Sequence, residues 1–207
     1  MIRYNLNIKL FFFIKVFFIY FIICLKSYAD TTKALGDLIV LGADNAPVKI
    51  KIFSSLTCSH CANFHIKIVS EIKKKYIESG KVQLIFIDFP LDQAAFNASK
   101  LLHCLDQKKQ ITFLDTIYEN QNEWTAGSSI DEINNNLKKI VNILGISSAQ
   151  FDNCLNDEVI ADKILNGRID GHQKYSINST PTIIINEKKL EGSVSFKNIK
   201  KKIEKLI

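Results

Sequence analysis

Cys58-Ser59-His60-Cys61 sets two thiols three residues apart, with a hydroxyl and an imidazole between them. Thiols at that spacing can open and close a disulfide, hold two corners of a zinc site, or staple a tiny loop. The last use stabilises little, because a bond across two residues removes little chain entropy. Zinc needs three or four ligands, and His65, four residues beyond Cys61, offers a third. A metal site built on Cys58, Cys61 and His65 therefore stands as an alternative. For redox chemistry the position of the pair decides. At a helix N-terminus, free N–H groups and the helix dipole favour the Cys58 thiolate, and His60 can add a hydrogen bond or a positive charge. Each pKa unit that Cys58 lies below the working pH stabilises the reduced pair by ~1.4 kcal/mol, or ~30 mV for a two-electron couple. Cys61, one turn inward, would then be the buried partner that closes the disulfide.

The flanking residues supply such a position. Val48-Lys49-Ile50-Lys51-Ile52-Phe53 alternates with period two, the mark of a strand with one polar side. From Cys61 the period changes: Cys61, His65, Ile68, Ile72 and Tyr76 fall on one helical face, and Gly80 ends the helix. Residues 82–87 are nearly continuous in apolar character, as a strand covered on both sides should be. Strand, helix and strand form a βαβ unit with the cysteines at its first junction. Ile39-Val40-Leu41 adds a short strand.

Residues 92–157 then contain no strand-like run and no proline. Leu101 and Leu105 share one helical segment, and Ile111, Leu114 and Ile117 another. Ser129 and Glu132 make a capping box before Ile133, Leu137, Ile140, Val141 and Leu144, with Gly145 as the stop. Ser147 and Gln150 open a further short helix, and a long one runs from Asp157 to about Tyr175. Residues 181–185 are a strand, Asn186-Glu187 a tight turn and residues 188–191 the returning strand. Phe196, Ile199, Ile203 and Leu206 mark a final amphipathic helix. The expectation is an α/β domain, residues 30–91 and 158–207, interrupted by an all-helical insertion at 92–157. His103 and His172 read as surface or capping residues, Trp124 as packing, and the lysine runs 73–75 and 200–202 as solvated helix ends. There is no glycine-rich phosphate loop and no serine-nucleophile motif.

The first 29 residues read differently. They hold four of the 27 basic side chains and none of the 21 acidic ones, then an apolar run at 16–25 and Ser27-Tyr28-Ala29. Basic start, short apolar core and small-residue site are the order of a signal peptide cleaved near Ala29. Ten apolar residues are too few to cross ~30 Å of hydrocarbon as a helix. Setting the leader aside leaves 23 basic against 21 acidic residues, so the formal +6 falls to +2. That gives no basic footprint for nucleic acid, and 47% apolar residues with three prolines exclude a disordered chain. The strong excess of Lys over Arg, with much Ile and Asn, points to an AT-rich bacterial genome, and so to the periplasm as the destination. Export makes two disulfides the default for the four remaining cysteines, Cys58, Cys61, Cys104 and Cys154.

Residues 53–65, Phe-Ser-Ser-Leu-Thr-Cys-Ser-His-Cys-Ala-Asn-Phe-His, resemble the active-site segment of DsbA-like thiol:disulfide oxidoreductases in the thioredoxin superfamily. Residues 88–92, 121–124 and 178–182 are similar to further stretches of that family in the same order, so the resemblance spans nearly the whole mature chain. It implies a thioredoxin fold with an inserted all-helical domain. It also implies Cys58 as the exposed nucleophile, Cys61 as its buried partner, and Ser59 and His60 as the residues that modulate them. Thr180-Pro181 matches the family's cis-proline loop, which lies against the disulfide and presents the Thr180 backbone to an extended substrate. Taken alone, Pro181 reads as a trans proline opening an edge strand.

Three departures stand out. Ser59 replaces a common proline, Ile52 stands where many relatives bury an acid that moves protons for the second cysteine, and Thr180 occurs in oxidising and isomerising relatives alike. Some relatives carry a second disulfide, which implies a structural Cys104–Cys154 bond; the other reading is two free buried thiols. The expected function is a periplasmic oxidase that gives disulfides to unfolded exported proteins and is reoxidised by a quinone-linked membrane partner. No cofactor or metal is expected. A disulfide isomerase or reductase of the same fold is the nearest alternative; isomerases usually carry a dimerisation module, for which the segment before Val48 is short.

Overall fold

The computed structural model describes residues 38–207; the leader and cleavage site expected from the sequence lie outside the described residues. The chain forms β1 (Ile39–Leu41), β2 (Val48–Ser54), a continuous helical run α1 (residues 59–77) and β3 (Val82–Asp88). Helices α2 (Gln93–Cys104), α3 (Gln107–Glu119), α4 (Gln121–Trp124), α5 (Ile130–Ile143) and α6 (Ser148–Leu155) follow without a strand. A long helix α7 (Glu158–Tyr175) leads back to β4 (Thr182–Ile185), β5 (Lys188–Lys189) and a last helix α8 (Phe196–Ile203). The sheet order is β1-β3-β2-β4-β5, with β2 and β3 parallel and every other pair antiparallel. This is a thioredoxin fold with an inserted helical domain.

Strand alternation gives the sheet two different faces. Val48, Ile50 and Ile52 of β2, with Leu84, Phe86 and Ile183 from its neighbours, enter the main core beneath α1, the inserted helices and α8. Phe53 and Ile184 point the other way and pack with Phe89 and Ile177. Helix α7 lies on that second face through Gly171, where a Cβ would stand 2.5 Å from the Phe53 ring. Only glycine permits this approach.

Helix α1 is not the plain α-helix that its spacing predicts. Residues Phe64–Val69 and Lys73–Ile77 are π-helical, separated by Ser70–Ile72. The wider i→i+5 turns bury Val69 where an α-helical period points to Ile68, which is only partly buried. Gly80 ends the run as expected. At φ 69° its N–H bonds to Ile77 O and the next N–H, of Lys81, to Tyr76 O, each at 2.9 Å. The Ser147–Gln150 capping box is closed in both directions. That of Ser129 is only half made, because the Glu132 carboxylate is taken by the N–H of Ser128 at 2.7 Å and by its hydroxyl. The returning strand is two residues long, although the Leu190 N–H still reaches Ile183 O at 2.8 Å. Leu206 lies beyond the end of α8 and is exposed.

Inside the insertion, Trp124 is fully buried and donates to Ile117 O at 2.9 Å. Cys104 and Cys154 are joined, tying the end of α2 to α6. The almost buried Lys100 reinforces the same pair of helices by donating to Leu155 O, at the C-terminus of α6, at 2.8 Å. Closing a loop with a sequence separation of 50 stabilises by about 4 kcal/mol in the chain-entropy model.

The hairpin turn between β4 and β5 needs positive φ at both central residues, and Asn186 (42°) and Glu187 (66°) adopt it without glycine. Glu187 is held there by Lys174, Lys51 and Tyr175, whose hydrogen bonds bring its carboxyl down to about 2. A folded-state value below the ordinary 4.5 means stability that is present above pH 4.5 and lost as pH falls through about 2. The carboxylate is 55% exposed, so solvent discounts the gain. Glu187→Gln is expected to lose about 0.5–1 kcal/mol at neutral pH. Urea titrations at descending pH should show the gap narrowing below pH 4.5 and vanishing near 2.

Candidate active site

Cys58 occupies the N-cap of α1 with extended backbone (φ −77°, ψ 118°), and its carbonyl accepts the Ala62 N–H at 3.1 Å. Its sulfur therefore stands at the helix N-terminus and is partly exposed, whereas Cys61, one turn in, is 1% exposed. Both are free thiols. The Thr180–Pro181 peptide bond is cis, and the Cys58 thiol donates to Thr180 O at 3.5 Å. Burial works against ionisation of Cys58, but the Thr180 side chain, the N–H and thiol of Cys61 and the N–H of His60 outweigh it and lower the pKa below 9.0. Cys61 goes the other way. Burial pushes it up to about 12, against the lowering effects of the Thr180 side chain and the Ser55 backbone, and the Cys58 charge adds to the rise.

The loop before Cys58 is clamped from three elements. The Thr57 hydroxyl donates to Asp92 at 2.6 Å, and the same carboxylate caps α2 by accepting the Ala95 N–H at 2.7 Å. Ser55 Oγ accepts the Leu91 N–H at 3.3 Å. From the insertion, Gln121 Nε2 donates to Leu56 O at 2.7 Å and to Cys58 O at 3.2 Å. The loop that carries the nucleophile is thus fixed by β3's outgoing segment, α2 and α4 together.

Comparison with known proteins agrees with this geometry. A family model described as thioredoxin matches residues 34–205. The "Probable disulfide bond formation protein D" of Bacillus anthracis is 30% identical over 169 residues, which are 80% of this chain and 76% of that protein. The chain belongs to the DsbA-like branch of the thioredoxin family. Among solved structures, Wolbachia pipientis alpha-DsbA1 is similar with a TM-score of 0.75 at 30% identity, covering 82% of this chain and 90% of that one. Oxidised BdbD from Bacillus subtilis gives 0.69 at 25% identity over 82% and 92% of the two chains.

Within this DsbA-like site the residues expected from sequence take different places. Cys58, Cys61, Thr180 and Pro181 come together. Ser59 and His60 are exposed, and His60 acts on Cys58 through its backbone N–H. His65 does not join the cysteines: it is buried, with Nε2 bound to Asp115 at 2.7 Å and its ring against Tyr118 at 4.8 Å. No cluster of three metal-ligating side chains exists among the described residues, so the alternative built on Cys58, Cys61 and His65 is not assembled. His172 is exposed, with Nδ1 2.9 Å from the carbonyl of Ile177 beyond the end of its helix. His103 is not a surface residue; its side chain is 10% exposed and Nε2 lies 2.7 Å from the buried Asp88. Ile52 is buried between Phe86 and Ile183 of the flanking strands. Gln121 lies in a stretch that resembles the family, but its reach to the loop needs the fold.

In the reduced protein, iodoacetamide should modify Cys58 with a pH midpoint below 9.0 and leave Cys61 untouched until about 12 or unfolding. Mass spectrometry of the alkylated peptides reads both. Gln121→Ala should destabilise the fold by about 1–3 kcal/mol, because the Leu56 carbonyl loses its donor in a buried place. Urea denaturation measures that loss.

Proposed function

We propose that the chain is a periplasmic dithiol oxidase that donates its Cys58–Cys61 disulfide to newly exported proteins and is reoxidised by a quinone-linked membrane partner. It is a DsbA-like protein-disulfide oxidoreductase; the proposal adds direction, place and partner. The observation that carries the direction is the unequal treatment of the two sulfurs. A lowered pKa at Cys58 favours a thiolate that exists only in the dithiol, so above that pKa it stabilises the reduced protein and makes the disulfide the stronger oxidant. The order of residues 1–29, basic, apolar and then small, supports export.

The exchange runs through ordinary thiolate displacement. A substrate thiolate attacks Cys58 Sγ, the Cys58–Cys61 bond breaks, and Cys61 takes the electron pair and then a proton. A second substrate thiolate attacks the substrate sulfur of the mixed disulfide and releases Cys58 as thiolate. The net change is two electrons gained by the protein and one disulfide formed in the substrate. Thr180, immediately before the cis proline and β4, presents its backbone beside Cys58, where an extended substrate segment can pair with it.

The test equilibrates the mature protein across glutathione buffers, traps thiols at each step and assigns them by mass spectrometry. A Cys58–Cys61 pair that stays reduced until the buffer is strongly oxidising is the expected result, and Cys58→Ala should abolish dithiol oxidation. A pair that oxidises as readily as that of thioredoxin makes the protein a reductase or isomerase instead.

A further inference from the structure

Strand β4 begins beside Cys58, just after Pro181, and roughly 13 Å of strand later it ends at Ile185. At that far end lies a cavity of about 420 Å³ between the β4–β5 hairpin and the C-terminal helix α8. Ile185, Leu190 and Leu206 give it an apolar lining. Leu206 is fixed there by its N–H, which donates to Ile203 O at 2.8 Å in the turn after α8.

Strand alternation decides which lysines join that lining. Lys188 is opposite Ile185 in the β4–β5 register, and Lys189 is opposite Ile184. Ile185 belongs to the core beneath α8 and Ile184 to the other face, so the Lys188 side chain stands on the α8 side. Lys189 stands on the other, where its ammonium donates to Ser176 O at 3.0 Å and Tyr175 O at 3.4 Å. Lys202 and Lys205, three residues apart at the end of α8, complete the rim. The nearby carboxylates are engaged elsewhere: Glu187 with Lys51, Lys174 and Tyr175, and Glu204 with Tyr76, Lys75 and Lys200. Asn186 is occupied with the Lys49 N–H and Pro47 O. Among the described residues no acidic side chain lines the cavity, and none pairs with the ammonium of Lys188, Lys202 or Lys205. Lysines at a helix C-terminus suit its dipole, which accounts for Lys202 and Lys205. It does not account for Lys188, which a strand brings to the same hollow.

A concave, mostly apolar cavity of this size with a few converging polar groups has the form of a small-ligand site. Its charge asks for an anion and its lining for an apolar chain. Inorganic phosphate would meet the ammoniums but leave Leu190 and Leu206 uncovered, and a flat acidic bilayer would meet the rim without entering the hollow. We propose that this cavity binds a single-chain fatty carboxylate. Its tail lies against Ile185, Leu190 and Leu206, and its carboxylate sits between Lys188, Lys202 and Lys205. The site stands apart from the dithiol and does not rest on the direction of exchange.

Decanoate, kept below its micelle concentration, is the probe, titrated into the mature protein by calorimetry and followed by amide NMR shifts. Saturable one-to-one binding is expected, with shifts at residues 185–190 and 199–206. Decyltrimethylammonium carries the same tail with the opposite charge and should bind at least ~10-fold more weakly. High salt should weaken decanoate binding. Lys202→Glu and Lys205→Glu should each weaken it by about 5- to 10-fold, and Leu206→Ser by a similar factor. All three side chains are exposed, so thermal stability and Cys58 alkylation should stay at wild-type values. The absence of saturable binding overturns the site, as does equal affinity for the two tail charges. So do shifts centred on Cys58, or charge reversals that leave decanoate affinity unchanged. Inorganic phosphate bound as tightly as decanoate reduces the site to an ionic patch. Binding to phosphatidylglycerol vesicles without binding to decanoate makes it a membrane-facing surface instead; either result sinks the proposal.

Discussion

Two sulfurs in one turn of helix have to be made unlike, and a single placement does it. At the N-cap, Cys58 meets the free N–H groups that the helix cannot satisfy internally, while Cys61 is carried into the core by the same turn. Everything else keeps that junction in register. β2 is paired on both sides, Phe53 with Ile87 of β3 and with Thr182 of β4. The pairing to Thr182 sets where the cis bond at Pro181 lies, and so brings Thr180 over Cys58. The sheet thus positions both the nucleophile and the backbone that faces it, from adjacent strands of one register.

The arrangement leaves a trace of unsatisfied polarity. Among the described residues two buried side-chain polar atoms lack hydrogen-bond partners: Thr180 Oγ1, whose side chain favours the thiolates, and Tyr118 OH, which feels the charge of both cysteines. A stable fold normally pairs such groups, because each unpaired one costs free energy. A core optimised for stability alone would place an apolar group of the same shape at each.

Much of this was legible in the residues. The period change at Cys61 located the strand-to-helix junction, and the absence of strand patterning after Asp92 marked the insertion. What escaped did so for physical reasons. The π turns of α1 shift burial from Ile68 to Val69, and no local signal distinguishes them from α turns. The cis state of Pro181 has no signal in its neighbours along the chain, so the proline alone reads as trans. His103 looks like any helical histidine until β3 brings Asp88 to it from fifteen residues away. Gln121 reaches the site only through the packing of α4 on the loop, a contact across 65 residues of chain.

That packing gives the insertion its meaning. Asp92 caps its first helix with one carboxylate oxygen and grips Thr57 with the other, so ordering α2 also orders the loop before Cys58. Gln121 adds a second grip from a helix of the insertion. Trp124, buried three residues beyond Gln121, anchors that turn, and the Cys104–Cys154 bond with Lys100 braces α2 against α6. Side chains on braced helices keep their geometry better than side chains on loops. A dithiol whose outer thiolate is favoured by a few hydrogen bonds, and whose inner thiol is held up by burial, needs that rigidity, because a small displacement of Gln121 or Thr180 would weaken those bonds.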